Sequence, residues 1–472
     1  MKHLSPITIA ALLVFAACSS SGTATHDEDI PVNDGCRPDQ TDLSDQSDEE
    51  VTDEATDTVG PDGTTDDLLP DDGETPDADG GFLSGFDTDG KTCVADIPAG
   101  RIILATANDY TDDTKPWRVW VLVLADDGTL TDTGKYFETD KKLEGIGFNT
   151  NGRLAAVSSW ETGFVTLFAL IDRTLCIAQT GIVLPNRAEG ERVIFDQITA
   201  DPLDPHRFYL TYGNPIATDE YSHYSGGIYT MTVDDTGHAE LLTDHPAMHV
   251  PTAFTVLSGG MLAVALGGKE FIEDGGGLGT AGPDDLAVID LSGQTPQILQ
   301  WYDVWGTPGE SGPGPSVKSI GVAHNGYLLI ANSNEYSEDA GLIKLLSYDG
   351  STGITALTEL SDAALDSPDY LVLNNGGDTA VVMNGYFKGA TLGITADAIT
   401  YVRKETHDLV QPMVKMQRPP FVDHVLISSF RTSNDESASI TVAEITAEGL
   451  AEVSSTPVPL TGTYMLNDLT VQ

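Results

Sequence analysis

The chain reads as an all-β protein, a seven-bladed β-propeller with six blades as the alternative count. Three observations predict this. A strand–tip–strand unit recurs seven times, with first strands starting near residues 101, 153, 206, 260, 326, 378 and 423. That spacing of roughly 54 residues marks a repeat architecture. A short apolar piece ending in a polar turn precedes most copies, as in GIGFNTNG, ITADPLDPH, IGVAHNG and YLVLNNGGD, and a further strand follows most of them. Four antiparallel strands per repeat, with polar turns and no long amphipathic helix, describe a propeller blade. The third observation concerns the ends. The unit at Arg101 lacks its preceding strand, while Leu466–Gln472 looks like such a strand with nothing after it. Pairing the two closes the ring and covers an exposed edge.

Residues 326–350 show the unit at its clearest. An apolar run from Tyr327 to Ala331 leads into the acidic tip Asn332–Asp339, and an alternating run from Leu342 to Tyr348 ends at Asp349–Gly350. Each run has strand length, and the residues between them favour a hairpin. The pattern is weakest at the first strand of the seventh unit, near Met413–Gln417, and in the outer strands of the sixth.

Ahead of the repeats lie an address and a stalk. Met1–Lys2–His3 is short and basic, Leu4 to Ala17 is apolar, and Cys18 is followed by three serines. The apolar run suits a secretory segment and is too short to span a bilayer. Ala16–Ala17–Cys18 resembles the lipobox of bacterial lipoprotein precursors, with Phe15 where that family usually has an aliphatic residue. The resemblance implies cleavage of residues 1–17 and acylation of Cys18. The serines after it lack the early Asp that often marks inner-membrane retention, so an outer-membrane anchor, on its periplasmic or surface side, is the expected address.

Residues 18–96 form the predicted linker. From His26 to Asp96 there are 24 acids against Arg37 and Lys91. So few aliphatic residues do not offset chain entropy, and self-repulsion extends the segment. Asp77–Ala78–Asp79–Gly80 and Asp87–Thr88–Asp89–Gly90 open like calcium loops but lack the later ligands such a loop requires. The whole chain carries a formal charge of −50. A surface of that sign repels nucleic acid and favours cations or basic partners. The propeller is expected over residues 97–472, as a monomer.

Four cysteines, Cys18, Cys36, Cys93 and Cys176, show neither a CxxC pair nor metal-ligand spacing. If Cys18 is acylated, three remain in an oxidising compartment. Cys93–Cys176 and Cys36–Cys93 both stand as pairings, and one thiol is left over.

The phrases ADPLDPHRFYLTY (Ala200 to Tyr212) and AVIDLSGQTPQIL (Ala287 to Leu299) resemble seven-bladed propellers of the lactonase-like and YVTN-repeat kind. The match is one of spacing and hydrophobic pattern. It implies the scaffold, which hosts enzymes and pure binders alike.

In a propeller the second-to-third-strand loops share one end with the connections between blades. Here those loops are acidic, amide-bearing or aromatic, and Asp109, Glu161, His223, His245 and Glu335 are the candidate ligands for Ca2+ or another divalent cation. No resident cofactor is called for. Asp244–His245–Pro246–Ala247–Met248–His249 carries a His-x3-His pair, but Pro246 argues for an irregular loop. Gly275–Gly279 reads as a loop tip, since no strand-to-helix junction or Lys-Ser/Thr follows it. No GxSxG elbow or HExxH helix occurs. The sequence therefore favours a lipid-anchored binding or scaffold protein of the cell envelope, facing a protein, glycan or cation. A lactonase-like hydrolase with its site in the central funnel is the alternative.

Overall fold

Second and third strands in this chain are apolar at consecutive positions rather than at alternate ones. Ile102–Ala105, Val121–Leu124 and Leu328–Ala331 are examples, all buried. A strand apolar on both parities must be covered on both faces of its sheet. The computed structural model shows how. It describes residues 82–109, 116–159, 163–183, 194–217, 222–242, 247–248, 251–257, 261–266, 269–271, 278–280, 286–293, 296–302, 316–333, 341–350, 353–362, 365, 368, 370–383, 388–406, 413–417, 424–429, 439–446, 449–457 and 464–472. The chain divides into two compact units, Met1–Thr75 and Pro76–Gln472, and every described residue lies in the second.

A two-residue strand, β1 (Cys93–Val94), precedes the repeats. Sheet 1 contains β2 (Arg101–Asp109), β3 (Trp117–Leu124) and β4 (Leu130–Thr139), and sheet 2 contains β5 (Leu143–Phe148), β6 (Leu154–Ser159), β7 (Val165–Ile171) and β8 (Thr174–Ile182). Sheet 3 is β9 (Ile194–Ala200), β10 (Arg207–Ala217), β11 (Ser222–Val233) and β12 (Ala239–Leu241), joined by β13 (Ala247–Met248). Sheet 4 is β14 (Pro251–Leu257), β15 (Met261–Leu266), β18 (Leu286–Asp290) and β19 (Gln297–Tyr302), with β16 (Lys269–Phe271) and β17 (Leu278–Thr280) as a separate ribbon.

Sheet 5 runs β20 (Ser316–Val322), β21 (Leu328–Ser333), β22 (Gly341–Asp349) and β23 (Gly353–Asp362). Sheet 6 runs β24 (Tyr370–Leu373), β25 (Thr379–Met383), β26 (Lys388–Ile394) and β27 (Ile399–Thr406). Sheet 7 runs β28 (Met413–Gln417), β29 (His424–Ser429), β30 (Ser439–Thr446) and β31 (Gly449–Pro457). The final strand, β32 (Tyr464–Val471), returns to pair with β2 and supplies the inner strand of sheet 1.

The inner strands contact one another round a closed circuit: β32, β5, β9, β14, β20, β24, β28 and β32 again. The architecture is a β-propeller, with seven such sheets among the described residues. The expected junction of C-terminal strand and first unit is the ring closure. Between each pair of adjacent sheets lies one apolar cluster, and strand parity decides which cluster a side chain enters. Ile102 and Leu104 pack toward sheet 2, while Ile103 and Ala105 pack toward sheet 7. Leu328 and Ile330 face sheet 4, and Leu329 and Ala331 face sheet 6.

The inner strands carry a second regular feature. In six of the seven inner pairs the register slips by one residue, so that two inner-strand residues oppose one on the second strand. Such a bulge frees a backbone group and re-aims a side chain. The single opposing residues are Thr106, Ser158, Thr211, Ala265, Ala331 and Ser428, all small. Three of them satisfy the freed donor: Asp468 N–H donates to Thr106 Oγ1 at 3.0 Å, Gly145 N–H to Ser158 Oγ at 2.9 Å and Gln197 N–H to Thr211 Oγ1 at 3.0 Å. The second bulge residue then reaches sideways. Asp468 Oδ2 accepts from Ile146 N–H in sheet 2 at 3.3 Å, and Ser319 Oγ accepts from Leu371 N–H in sheet 6 at 3.1 Å.

The expected linker boundary at residue 97 needs correction. Residues 82–96 pack on the sheets: Leu83 is buried in the cluster between sheets 2 and 3, and β1 becomes a fifth strand on the outer edge of sheet 2. Phe82, Leu83 and Phe86 supply apolar side chains that pack into or against that cluster. The rest of the predicted linker, residues 18–81, lies outside the described residues, as does the N-terminal segment 1–17. Of the two cysteine pairings left open, Cys93–Cys176 is formed, with an S–S distance of 2.04 Å between residues directly opposed in β1 and β8.

Candidate functional site

The two ends of the ring differ in what they can do. At one end lie the first-to-second and third-to-fourth turns, which are short and internally bonded. Asn149 Oδ1 accepts from the amides of Arg153 and Leu154, and Asn374 Oδ1 accepts from those of Asp378 and Thr379. Neighbouring sheets are also stitched together here. Asn149 Nδ2 donates to Pro205 O at 2.6 Å, His324 N–H to Gly377 O at 2.8 Å, and Arg207 Nη1 to Gly293 O at 3.2 Å.

A buried network sits at the same end, in the segment quoted for its family likeness. Asp201, 1% exposed, accepts from Tyr209 Oη at 2.6 Å and from Leu203 N–H at 2.8 Å, and lies 3.3 Å from Arg207 Nη1. Burial, and then the hydrogen bond to Asp201, push the Tyr209 phenol well above its ordinary pKa. A hydroxyl held protonated by a carboxylate it donates to is a packing device, not an activated nucleophile. Sequence reasoning passed over this trio because its members come from a turn and a strand with no motif spacing.

The other end holds the second-to-third connections and the crossings between sheets. Blade 3 departs from the repeat here. Pairing of β10 with the inner strand β9 ends at Gly213↔Ile194, yet β10 stays paired with β11 through Asn214↔Ser225, Pro215↔Tyr224, Ile216↔His223 and Ala217↔Ser222. Among the described residues the hairpin continues for four more pairs, about 13 Å at 3.3 Å per residue, beyond its last pair with β9. Its base is flanked by β13, with Gly226↔Met248 and Gly227↔Ala247, and β11 also contacts β16 of the adjacent ribbon. The glycines on β11 suit a close approach of strands.

Of the predicted ligand residues, Asp109 and His223 are described. Asp109 is the last residue of β2, opposite Tyr464, and His223 lies within β11, opposite Ile216. Both were expected in loops, and strand pairing extends further than the tip composition suggested. They belong to different sheets. Glu161, His245 and Glu335 lie outside the described residues. Among the described residues no group of three or more His, Cys, Asp or Glu side chains is placed to hold a metal ion. Part of the expected glycine-rich tip is also strand, since Leu278–Thr280 pairs with Lys269–Phe271. Ala247–Met248, expected in an irregular loop, forms β13.

No protein-family model matches the sequence, and neither does any curated protein. Solved structures do. A protein of Lactobacillus plantarum is 17% identical with a TM-score of 0.53, over 78% of this chain and 99% of that one. The periplasmic gluconolactonase of Pseudomonas aeruginosa is 13% identical with a TM-score of 0.53, over 79% and 98%. A hypothetical selenium-binding protein of Sulfolobus tokodaii is 10% identical with a TM-score of 0.54, over 80% and 94%. At such identities the likeness establishes the propeller fold and nothing about activity.

Proposed function

We propose that the chain is a lipid-anchored binding or scaffold protein of the bacterial envelope, presenting the loop end of its propeller to an envelope protein or glycan. The observation that carries this reading is the blade 3 hairpin. Among the described residues this ribbon continues four residue pairs beyond its last pair with β9 and is flanked at its base by β13, which offers a recognition edge at this end of the ring. An axial hydrolase site needs converging groups over the channel, and a projecting ribbon at one blade does not supply them. The acidic chain, at −50, favours partners with a basic or hydroxyl-rich surface. Acylation at Cys18 and an outer-membrane address belong to the same proposal and rest on Ala16–Ala17–Cys18.

The test is site-specific photo-crosslinking in cells. A photoreactive residue is placed at Ile216 or His223 in the hairpin, and at Leu203, 64% exposed on the turn end, as the control. A single adduct of defined mass from the hairpin positions, absent from 203, supports the proposal. Equal labelling from both ends refutes it, as does hydrolysis of an aldonolactone by the purified domain above the uncatalysed rate. Replacement of Cys18 by Ser should abolish incorporation of an alkyne-tagged fatty acid and release the protein from membranes.

A further inference from the structure

Residues 82–100 run as a strap across the outside of sheets 3 and 2 before entering sheet 1. Leu83 is buried with Ala178, Met231, Val233, Ala239 and Leu241, and Phe82 and Phe86 pack at the margin of that cluster. Gly85 N–H donates to Asp235 O at 3.2 Å. Gly237, at φ +75°, makes room for the strap, because a Cβ there would stand 2.7 Å from the Phe86 ring. Further on, Lys91 Nζ donates to Ala178 O at 2.8 Å and Ile177 N–H donates to Thr92 O at 2.9 Å. Only two residues pair as strand, Cys93↔Cys176 and Val94↔Leu175. Beyond them Ile97 is buried, and Arg173 donates to Ile97 O at 3.2 Å and to Gly100 O at 2.8 Å.

The disulfide joins unequal partners. Cys93 is exposed on the strap, whereas Cys176 is fully buried in β8. Two ladder pairs on a sheet edge hold little by themselves. Sheet 2 is complete without β1, since β5–β8 form their own four-stranded order, and the ring closes through β32 rather than through the strap. The covalent bond adds to these backbone bonds and to those that Lys135 Nζ donates to Ala95 O and Asp96 O, and it faces solvent at Cys93.

We propose that Cys93–Cys176 is an exchangeable latch whose substrate class is a small-molecule or protein dithiol, and that opening it frees residues 82–96 while the seven sheets stay folded. One thiolate of the dithiol attacks Cys93 Sγ, forming a mixed disulfide and expelling the Cys176 thiolate, which takes a proton from solvent as the edge opens. The second thiolate then displaces Cys93. The protein gains two thiols, and the dithiol leaves as its disulfide, oxidised by two electrons.

Hydrogen exchange of the full chain carrying Cys18→Ser and Cys36→Ser, so that one cysteine pair remains, tests this with dithiothreitol as the probe. Alkylation and mass measurement first establish that both thiols are free. Residues 84–96 and the amide of Ile177, which donates to Thr92 O, should then exchange at least about 100-fold faster, other strands should change by less than about threefold, and reoxidation should restore the pattern. Three results overturn the proposal: a strap that stays protected once reduced, a loss of protection in all sheets together, or a bond that resists reduction while the domain is native.

Discussion

Thr106→Val offers the sharpest test of the bulge-and-hydroxyl arrangement that closes the ring. Thr106 is fully buried, accepts from Asp468 N–H at 3.0 Å and donates to Asp468 O at 3.3 Å. Valine keeps the shape and removes the hydroxyl, so packing is nearly unchanged while a buried amide loses its acceptor. Leaving one buried donor unsatisfied costs about 1–3 kcal/mol. The site lies on the seam where the C-terminal strand meets the first sheet, and no covalent link spans that seam. The loss should therefore appear in global stability. Urea unfolding, followed by the fluorescence of Trp117 and Trp120 in the same sheet, reads it directly. With a denaturant slope of about 3 kcal/mol per molar, the midpoint should fall by roughly 0.3–1 M with the slope unchanged. Ser158→Ala should show a similar loss plus that of its small volume. A Thr106→Val variant within about 0.3 kcal/mol of the parent would show that the amide needs no partner there, and the account of the bulges would be wrong.

Other expectations follow from the same structure. Removal of residues 464–472 takes away the inner strand of sheet 1, including the buried Leu466, Leu469 and Val471, and should yield protein without cooperative thermal unfolding. Gly147→Ala should destabilise by about 1–3 kcal/mol, because its Cβ would lie 2.5 Å from the backbone oxygen of Ile198. Gly321→Ala should cost less, since it meets the movable Cδ1 of Leu373 instead. Stability should also fall at alkaline pH through Tyr209. Its folded pKa is raised, so the unfolded chain releases the phenolic proton from about pH 10 while the folded chain keeps it. The contribution is complete below pH 10 and declines above it, by up to about 1.4 kcal/mol per pH unit. Tyr209→Phe should flatten that decline, and an unaltered alkaline slope would remove Tyr209 as its source.

Much of the fold was legible because a propeller repeats its reasons. Turn residues such as Asn149 and Asn374 recur at the same place in the unit and bond their own backbone there, so the first-to-second turns announced themselves. The orphan strand at Leu466 was readable for the same reason, as a missing part at one end and a spare part at the other. The order of residues 82–96 was not readable from composition, since three apolar side chains in an acidic stretch gain their stability only from the slot between sheets 2 and 3.

What the sequence determined by itself is the local chemistry: the alternation of strands and polar turns, two-sided burial and the presence of a repeat. Those follow from periodicity, which is a property of neighbours along the chain. The tertiary structure alone decided the cysteine pairing, which depends on β1 lying against β8. It also decided that Asp109 and His223 sit in strands of different sheets, and that among the described residues the third hairpin continues beyond its last pair with β9. Each of these turns on where distant segments stop pairing, and pairing limits are set by neighbours in space rather than by neighbours in sequence.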